Sequence, residues 1–235
     1  MKKMILSAVM LVFAASGRAQ EAGAASPTEH NEWLTTFEAV AVDADLDIKF
    51  VKVPDTEAPK IVYDTKGSYT SKFRAEVKDK TLRISERPDS RRPDRTEVTV
   101  YYNALRAVSL SGAAATFVGT LDAAVLDVTV NRKASLTAKL DVKDLKMEQT
   151  GYSTANLSGS VRYLTLYVST GKVAASDLEV MSAEVNAQSK ADVSLWITDR
   201  FIGKTTTNAR ITYKGQPAVV RGGAKFMGGE ISHVE

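Results

Sequence analysis

Residues 125–144 read VLDVTVNRKASLTAKLDVKD, residues 145–163 read LKMEQTGYSTANLSGSVRY, and residues 164–182 read LTLYVSTGKVAASDLEVMS. Each stretch contains an alternating apolar run, a small polar turn and a second alternating run. Alternation with a period of two is typical of β-strands, because successive side chains point to opposite faces. The sequence therefore predicts short strands joined by turns, and it contains no convincing helical stripe after its first residues.

The same unit recurs about six times between Leu105 and Tyr213. The copies open at Leu105, Val125, Leu145, Leu164, Ala183 and Phe201. Each is roughly 18–20 residues long, and a fixed period of this kind is typical of solenoids, in which each copy buries its apolar face against the next. We therefore predict an all-β, single-domain, parallel β-helix-like solenoid with less regular strand caps at both ends. An antiparallel meander or sandwich stays open as the alternative, because turns roughly every 8–12 residues also fit that class.

Small residues follow the turns of the repeats, as a slim solenoid requires where its chain changes direction. They are Ala134, Ala155, Ala191 and Ala209. Stacked copies would place these side chains one above another at the corners. This pattern favours the solenoid over the alternative.

The folded domain is predicted to span residues 33–235. Residues 33–104 would supply N-terminal strands, with a hairpin turn at residues 78–80, and residues 105–213 the repeats. Residues 214–235 would form a C-terminal cap, in which Val219, Val220 and Ile231 are typical of strands. Trp33 is expected to anchor the start of the domain.

The first residues resemble a secretory signal peptide. Lys2 and Lys3 precede an apolar run over residues 4–15, and Gly17 and Ala19 are small residues before a predicted cleavage after residue 19. Residues 20–32 are predicted to form a flexible leader, because they contain almost no large apolar side chains. We expect export to the periplasm, the outer cell surface or the medium, without a transmembrane segment after cleavage.

Composition excludes several classes of chemistry. The chain contains no cysteine, which excludes disulfides, thiol catalysis and a lipoprotein anchor. Three of its 31 Lys and Arg residues lie in the predicted signal, which leaves 28 against 28 Asp and Glu. A nucleic-acid-binding protein would be expected to carry a basic excess, so nucleic acid is not an expected partner.

Few residues are suited to catalysis or metal binding. The two histidines, His30 and His233, lie in the leader and near the end of the sequence, so neither a catalytic histidine nor a bound cofactor is expected. Asp43, Asp45 and Asp47 alternate, and on a strand their carboxylates would share one face. That face could hold a cation weakly, although a solvated strand or turn explains the same pattern.

Two further features could contact a partner. Arg87, Arg91, Arg92 and Arg95 cluster in a loop that contains two prolines and interspersed acids, and such a loop could bind a phosphate or an acidic glycan. A solvated loop of mixed charge explains the same residues.

Trp196 lies between Leu195 and Ile197. If those two apolar side chains point inward, Trp196 points outward, since alternate residues face opposite sides of a strand. An outward tryptophan could stack on a sugar or pack against a capping segment.

The order of elements resembles the putative auto-transporter adhesin, head GIN domain family. The resemblance rests on residues 37–53, Thr81–Ile84, Val98–Tyr101, Val108–Ala113, the repeats, Tyr213–Pro217 and Gly228–Ile231. It covers nearly all of the chain after the predicted signal. The Ser-Gly-Ala turn of the family is explicit only at residues 111–113. The resemblance implies an exported all-β repeat domain.

These observations predict an exported, non-enzymatic β-solenoid of the bacterial cell envelope. Its contact with an envelope protein or glycan would be adhesin-like or scaffolding. The alternative is a polysaccharide lyase or hydrolase, since β-helices also carry such enzymes. Those sites need grouped carboxylates, or calcium with a basic residue, and no such group recurs at one position of the repeat.

Overall fold

A computed structural model describes residues 28–66, 72–88 and 94–234, and none of these residues lies in an α-helix. The predicted all-β class is confirmed. The strands are β1 (Glu29–Trp33), β2 (Ala39–Asp43), β3 (Leu46–Lys52), β4 (Lys60–Asp64), β5 (Phe73–Lys78), β6 (Thr81–Glu86), β7 (Thr96–Tyr102), β8 (Ala107–Ser111), β9 (Ala114–Asn131), β10 (Ser135–Gln188), β11 (Asp192–Thr206), β12 (Arg210–Lys214), β13 (Val219–Phe226) and β14 (Glu230–His233).

The strands of the described residues belong to one sheet. Its main path runs β1-β4-β7-β3-β9-β10-β11-β12-β14. The pairs β1/β4, β4/β7 and β5/β6 are antiparallel. From β8 onward the pairs are parallel: β8/β9, β9/β10, β10/β11, β11/β12, β11/β13 and β12/β14. The antiparallel alternative is therefore wrong for the repeats.

Residues that pair between parallel strands of the repeats lie about one copy of the repeat apart in the sequence. Leu145 pairs with Leu126, and Phe201 pairs with Ala183. The second copy was predicted to open at Val125, but Val125 is 54% exposed and pairs with Asp144. The register therefore starts that copy at Leu126, because only this choice places apolar residues on apolar neighbours.

Corners with positive φ recur at the same interval. They lie at Arg132–Lys133, Gly151–Tyr152, Thr170–Gly171, Ser189–Lys190, Thr207–Asn208 and Met227–Gly228. Successive corners are joined by backbone hydrogen bonds, such as those donated by Lys133 N to Gly151 O (2.9 Å) and by Lys190 N to Thr207 O (3.0 Å). The first five corners fall at the small polar turns of the repeats, at residues 131–133, 150–152, 169–171, 189–191 and 206–208.

The core lies under the inward face of each strand. In the first part of β10, Leu136, Leu140 and Val142 are buried, whereas Lys139 and Asp141 between them are exposed. The alanines predicted to fill the corners are all buried: Ala134, Ala155, Ala191 and Ala209. Since the chain has no cysteine, this continuous apolar cluster takes the place of disulfides.

The N-terminal strands extend the sheet beyond the repeats. Glu29–Trp33 forms β1 and pairs with β4, so the last residues of the predicted flexible leader form a strand. His30 stacks on Tyr63 with ring centroids 5.0 Å apart. Trp33 was expected to anchor the start of the domain, but its side chain is 69% exposed, so it does not do so by burial. The predicted hairpin between β5 and β6 is confirmed, with Asp79 and Lys80 at positive φ.

The C-terminal strands continue the parallel ladder. Ile231 in β14 pairs with Ile211 in β12, and Val220 in β13 pairs with Phe201 in β11. The strands predicted around Val220 and Ile231 are therefore present. Their register follows that of the repeats, so they occupy the next positions of the same ladder.

Two glycines in the sheet provide a matched test of strand contact. Both have positive φ, at 100° for Gly159 and 80° for Gly119. A Cβ on Gly159 would overlap the carbonyl oxygen of Leu140 on the neighbouring pass of β10, whereas a Cβ on Gly119 would meet no atom within 4 Å. Gly159 therefore allows two successive passes of the backbone to approach closely.

We expect Gly119→Ala to cost about 1 kcal/mol of unfolding free energy, from its left-handed backbone alone. Gly159→Ala should cost at least ~2 kcal/mol more, because the backbone must also move apart. Urea denaturation of both variants measures the difference. Equal losses of stability would contradict the close approach of residues 140 and 159.

Candidate functional site

The three aspartates that were predicted to form a cation-binding face, Asp43, Asp45 and Asp47, form hydrogen bonds with arginines. Asp43 ends β2, Asp45 lies in the bend after it, and Asp47 lies in β3, so the three do not share one strand. Arg95 donates to Asp47 Oδ1 at 2.7 Å and also to Asp45, while Arg132 Nη2 donates to Asp43 Oδ1 at 2.5 Å. The guanidinium groups thus occupy the positions that a bound cation would need.

Asp47 belongs to a row of acidic residues across three strands. Asp64 pairs with Glu97, and Glu97 pairs with Asp47. Like charges on neighbouring strands repel each other. Lys66 contacts both Asp64 (3.3 Å) and Glu97 (2.7 Å), and Arg95 contacts Asp47, so cations of the chain itself neutralise the row.

Hydrogen bonds shift the pKa values of Asp64 in this row and of Lys66 beside it. The hydrogen bond from the Thr28 hydroxyl, helped by Lys66, holds the pKa of Asp64 below its usual value. The hydrogen bond to Glu97 raises the pKa of Lys66. Within the described ranges, no group of three or more His, Asp or Glu side chains is arranged to hold a metal ion.

Of the four arginines that were predicted to form one contact surface, Arg87 and Arg95 lie within the described residues. Arg91 and Arg92 lie outside the described residues. Arg87 is exposed just after β6, and its backbone N–H donates to Lys72 O. Arg95 is turned towards the Asp45 bend and also reaches Gly112 O at 3.4 Å. Arg95 therefore fixes the connection between β2 and β3, which is a structural role.

Trp196 points outward as predicted. Leu195 and Ile197 are buried beside it, while Trp196 is half-buried. In the parallel register, Trp196 lies between Glu179 and Lys214. The Lys214 ammonium lies 5.0 Å from the centre of the indole ring, which is a cation–π contact. Trp196 is thus an outward aromatic that is covered in part by the C-terminal strands.

A groove opens on the outer surface of β10. It has a volume of about 400 Å³. Five polar side chains and one methionine line it on the outer face: Asp141, Lys143, Ser160, Arg162, Glu179 and Met181. We call these six residues the outer groove. Trp196 does not line the outer groove itself, but it is the register partner of Glu179 and so lies on the strand beside it.

The outer groove consists of two rows of side chains on successive passes of the chain. Ser160 Oγ donates to Asp141 Oδ1 at 3.2 Å, which fixes these two residues as neighbours on successive passes. Asp141 and Ser160 are 19 residues apart in the sequence. The same interval separates Lys143 from Arg162 and places them side by side, and both side chains are exposed. Carboxylates and a hydroxyl thus face the groove from one row, and two cations from the next.

Sequence reasoning missed these residues although a signal was present. Asp141, Ser160 and Glu179 recur at the interval of the repeat, as do Lys143 and Arg162. Aligning the copies at Leu126 instead of Val125 would have placed these polar residues in columns. The inward columns define the strands, whereas the outward columns define the surface.

Comparison with known proteins identifies the family. The family described as “Putative auto-transporter adhesin, head GIN domain” matches residues 36–217. The chain belongs to this family. The head GIN domain therefore includes β2 to β12 and the outer groove. A search of curated proteins returned no match.

Solved structures share the fold of this head GIN domain. A putative adhesin from Bacteroides fragilis aligns with a TM-score of 0.78 and 18% identity, over 88% of this chain and 96% of that one. A putative adhesin from Parabacteroides merdae has a TM-score of 0.63 and 19% identity, over 88% and 95%. A protein from Parabacteroides distasonis described as a putative lipid binding protein has a TM-score of 0.62 and 15% identity, over 88% and 96%. At these identities the likeness establishes the fold alone.

Arg95→Met should destabilise this head GIN domain by about 1 kcal/mol, because two carboxylates lose their shared partner and then repel each other. Arg132→Met is the matched control: its single pair with Asp43 is more exposed, and it should cost less than about 0.5 kcal/mol. Urea denaturation at low salt measures both. A larger loss for Arg132→Met would contradict the structural role of Arg95.

Proposed function

We propose that this chain is an exported, non-enzymatic component of the bacterial cell envelope that contacts glycans through the outer groove. Membership of a family described as putative adhesins supports the surface role. The signal-peptide pattern over residues 1–19, which lie outside the described residues, supports export. In the described part of the chain, no helix is long and apolar enough to cross a bilayer.

The proposal includes a parallel β-helix-like coil for residues 105–234. Four features support it: parallel pairing, offsets of about one copy of the repeat, corners with positive φ at the same interval, and buried alanines at those corners. In such a coil, outward residues one copy apart are neighbours on the surface. The outer groove is then a product of the coil.

The outer groove carries the functional proposal. Sugars present hydroxyl groups and weakly apolar ring faces. Asp141 and Glu179 can accept hydrogen bonds from hydroxyls, and Arg162 and Lys143 can donate to ring or acid oxygens. Trp196 supplies an aromatic edge beside these groups. About 400 Å³ is also within the usual range for small-ligand sites.

A polysaccharide-processing enzyme is the second candidate, because two carboxylates line the same groove. Asp141 and Glu179 are two strand spacings apart, which corresponds to roughly 9.6 Å. Retaining glycosidases place their carboxyl groups about 5–5.5 Å apart and inverting ones about 6.5–9.5 Å apart. This backbone spacing is too wide for the retaining geometry and lies at the upper end of the inverting range, so the enzymatic candidate is an inverting hydrolase, and incubation with the bound polymer decides between it and binding.

We expect the purified protein to bind a subset of glycans on an array. Trp196→Ala should weaken that binding about tenfold, ~1.4 kcal/mol, because an aromatic contact is lost. Trp33→Ala is the matched control, since Trp33 is exposed outside the groove. Thermal unfolding should show that both variants remain folded.

The proposal fails if no glycan binds, or if Trp33→Ala and Trp196→Ala weaken binding equally. Incubation of each bound polymer with the protein tests the enzymatic alternative. Release of shortened products that stops with Asp141→Asn or Glu179→Gln would replace the binding role with catalysis.

A further inference from the structure

We propose that the outer groove selects anionic polysaccharides, with Arg162 and Lys143 holding a carboxylate or sulfate group of the sugar. This inference rests on the proposed glycan contact and specifies its ligand class. It follows from the arrangement of charge in the two rows of the groove, since the two cations are adjacent whereas Ser160 separates the two carboxylates.

The cationic row has no internal partner among the described residues. Arg162 and Lys143 are exposed neighbours on successive passes of β10. Like charges at neighbouring positions of a sheet repel each other. Within residues 28–66, 72–88 and 94–234, neither side chain forms an ion pair. An anion bound between the two cations would relieve this repulsion.

The acidic row, in contrast, is partly satisfied by the chain. Asp122 pairs with Asp141 in the register of β9 and β10. Lys52 Nζ lies 2.6 Å from Asp122 Oδ1, and Ser160 donates to Asp141. The repulsion between the two aspartates is thus relieved without a ligand. Glu179 forms no ion pair among the described residues either, but Ser160 lies between it and Asp141, whereas Lys143 and Arg162 are adjacent. The adjacent like charges that line the groove are therefore the two cations.

The chemistry of the two rows fits one kind of sugar. A guanidinium group binds a carboxylate or sulfate through paired hydrogen bonds, and an ammonium adds charge. Asp141 and Glu179 remain available to accept from hydroxyls of the same or the next sugar. A neutral polysaccharide can accept hydrogen bonds from Arg162 and Lys143 through its hydroxyl and ring oxygens, but it brings no charge to offset the repulsion between the two cations.

Matched polymers and matched variants test the inference. The probes are polygalacturonate against its carboxyl-reduced form, and dextran sulfate against dextran. Arg162→Gln and Lys143→Gln remove single charges from the groove. Lys146→Gln is the control, because Lys146 is an exposed cation on the same pass of β10 but outside the groove. Binding is measured by biolayer interferometry at about 50 mM and about 200 mM salt, a range over which screening of exposed charges increases.

We expect at least one acidic polymer to bind at least about tenfold more tightly than its neutral partner, and more weakly at the higher salt. Arg162→Gln should reduce that binding about tenfold, while Lys146→Gln should not change it. If carboxylate is the group bound, polygalacturonate shows the effect; if sulfate is, dextran sulfate shows it.

Equal binding of acidic and neutral polymers would overturn the anion selectivity and leave the proposed glycan contact intact. Equal losses from Arg162→Gln and Lys146→Gln would overturn the assignment to the groove. Absence of binding to both acidic polymers would overturn the inference, and only an array that is also negative would remove the glycan contact itself.

Discussion

The structure depends on the parallel register that places each residue beside its equivalent about one copy earlier. Leu145 lies beside Leu126, and Phe201 lies beside Ala183. This register buries apolar side chains on apolar side chains, which is the main stabilising contribution in a chain without cysteine. It also forces the chain to turn at a fixed interval. The corners place non-glycine residues at positive φ, which costs roughly 1–2 kcal/mol per residue, so burial of the stacked core must offset that cost.

The same register arranges the outer surface. Once inward residues are aligned, outward residues one copy apart are aligned as well, and any polar residue that recurs forms a row. Asp141 and Ser160 become hydrogen-bonded neighbours in this way. Rows of like charge carry an electrostatic cost. At Asp47 and Glu97, ion pairs with Arg95 and Lys66 offset the repulsion between the two carboxylates. At Lys143 and Arg162 the described residues supply no such partner, and this contrast connects the fold to its proposed ligand.

Much of the fold could be predicted from local pattern. Alternation indicated the strands, the small polar turn of each copy indicated the corners, and the alanines after the turns indicated the tight packing, because each of these signals lies within a few residues. The partners of Asp45 and Asp47 could not be predicted in this way, because Arg95 is distant in the sequence and its approach depends on pairing between β3 and β7. The outer groove was accessible from the sequence, but only with the correct alignment of copies. A shift of one residue at Val125 exchanges inward and outward positions and hides the polar rows.

The register between residues 141 and 160 is the central claim, and cysteine crosslinking tests it directly because the native chain has no cysteine. Side chains in register on neighbouring strands have Cα atoms about 4.8 Å apart, and a shift of two positions increases this to roughly 8 Å. Disulfides rarely form when the Cα separation exceeds about 7 Å. Asp141→Cys with Ser160→Cys should therefore oxidise readily to a disulfide, as seen by peptide mass spectrometry. Lys139→Cys with Ser160→Cys should not. Preferential crosslinking of the 139–160 pair, or none for the 141–160 pair, would contradict the register and with it the outer groove.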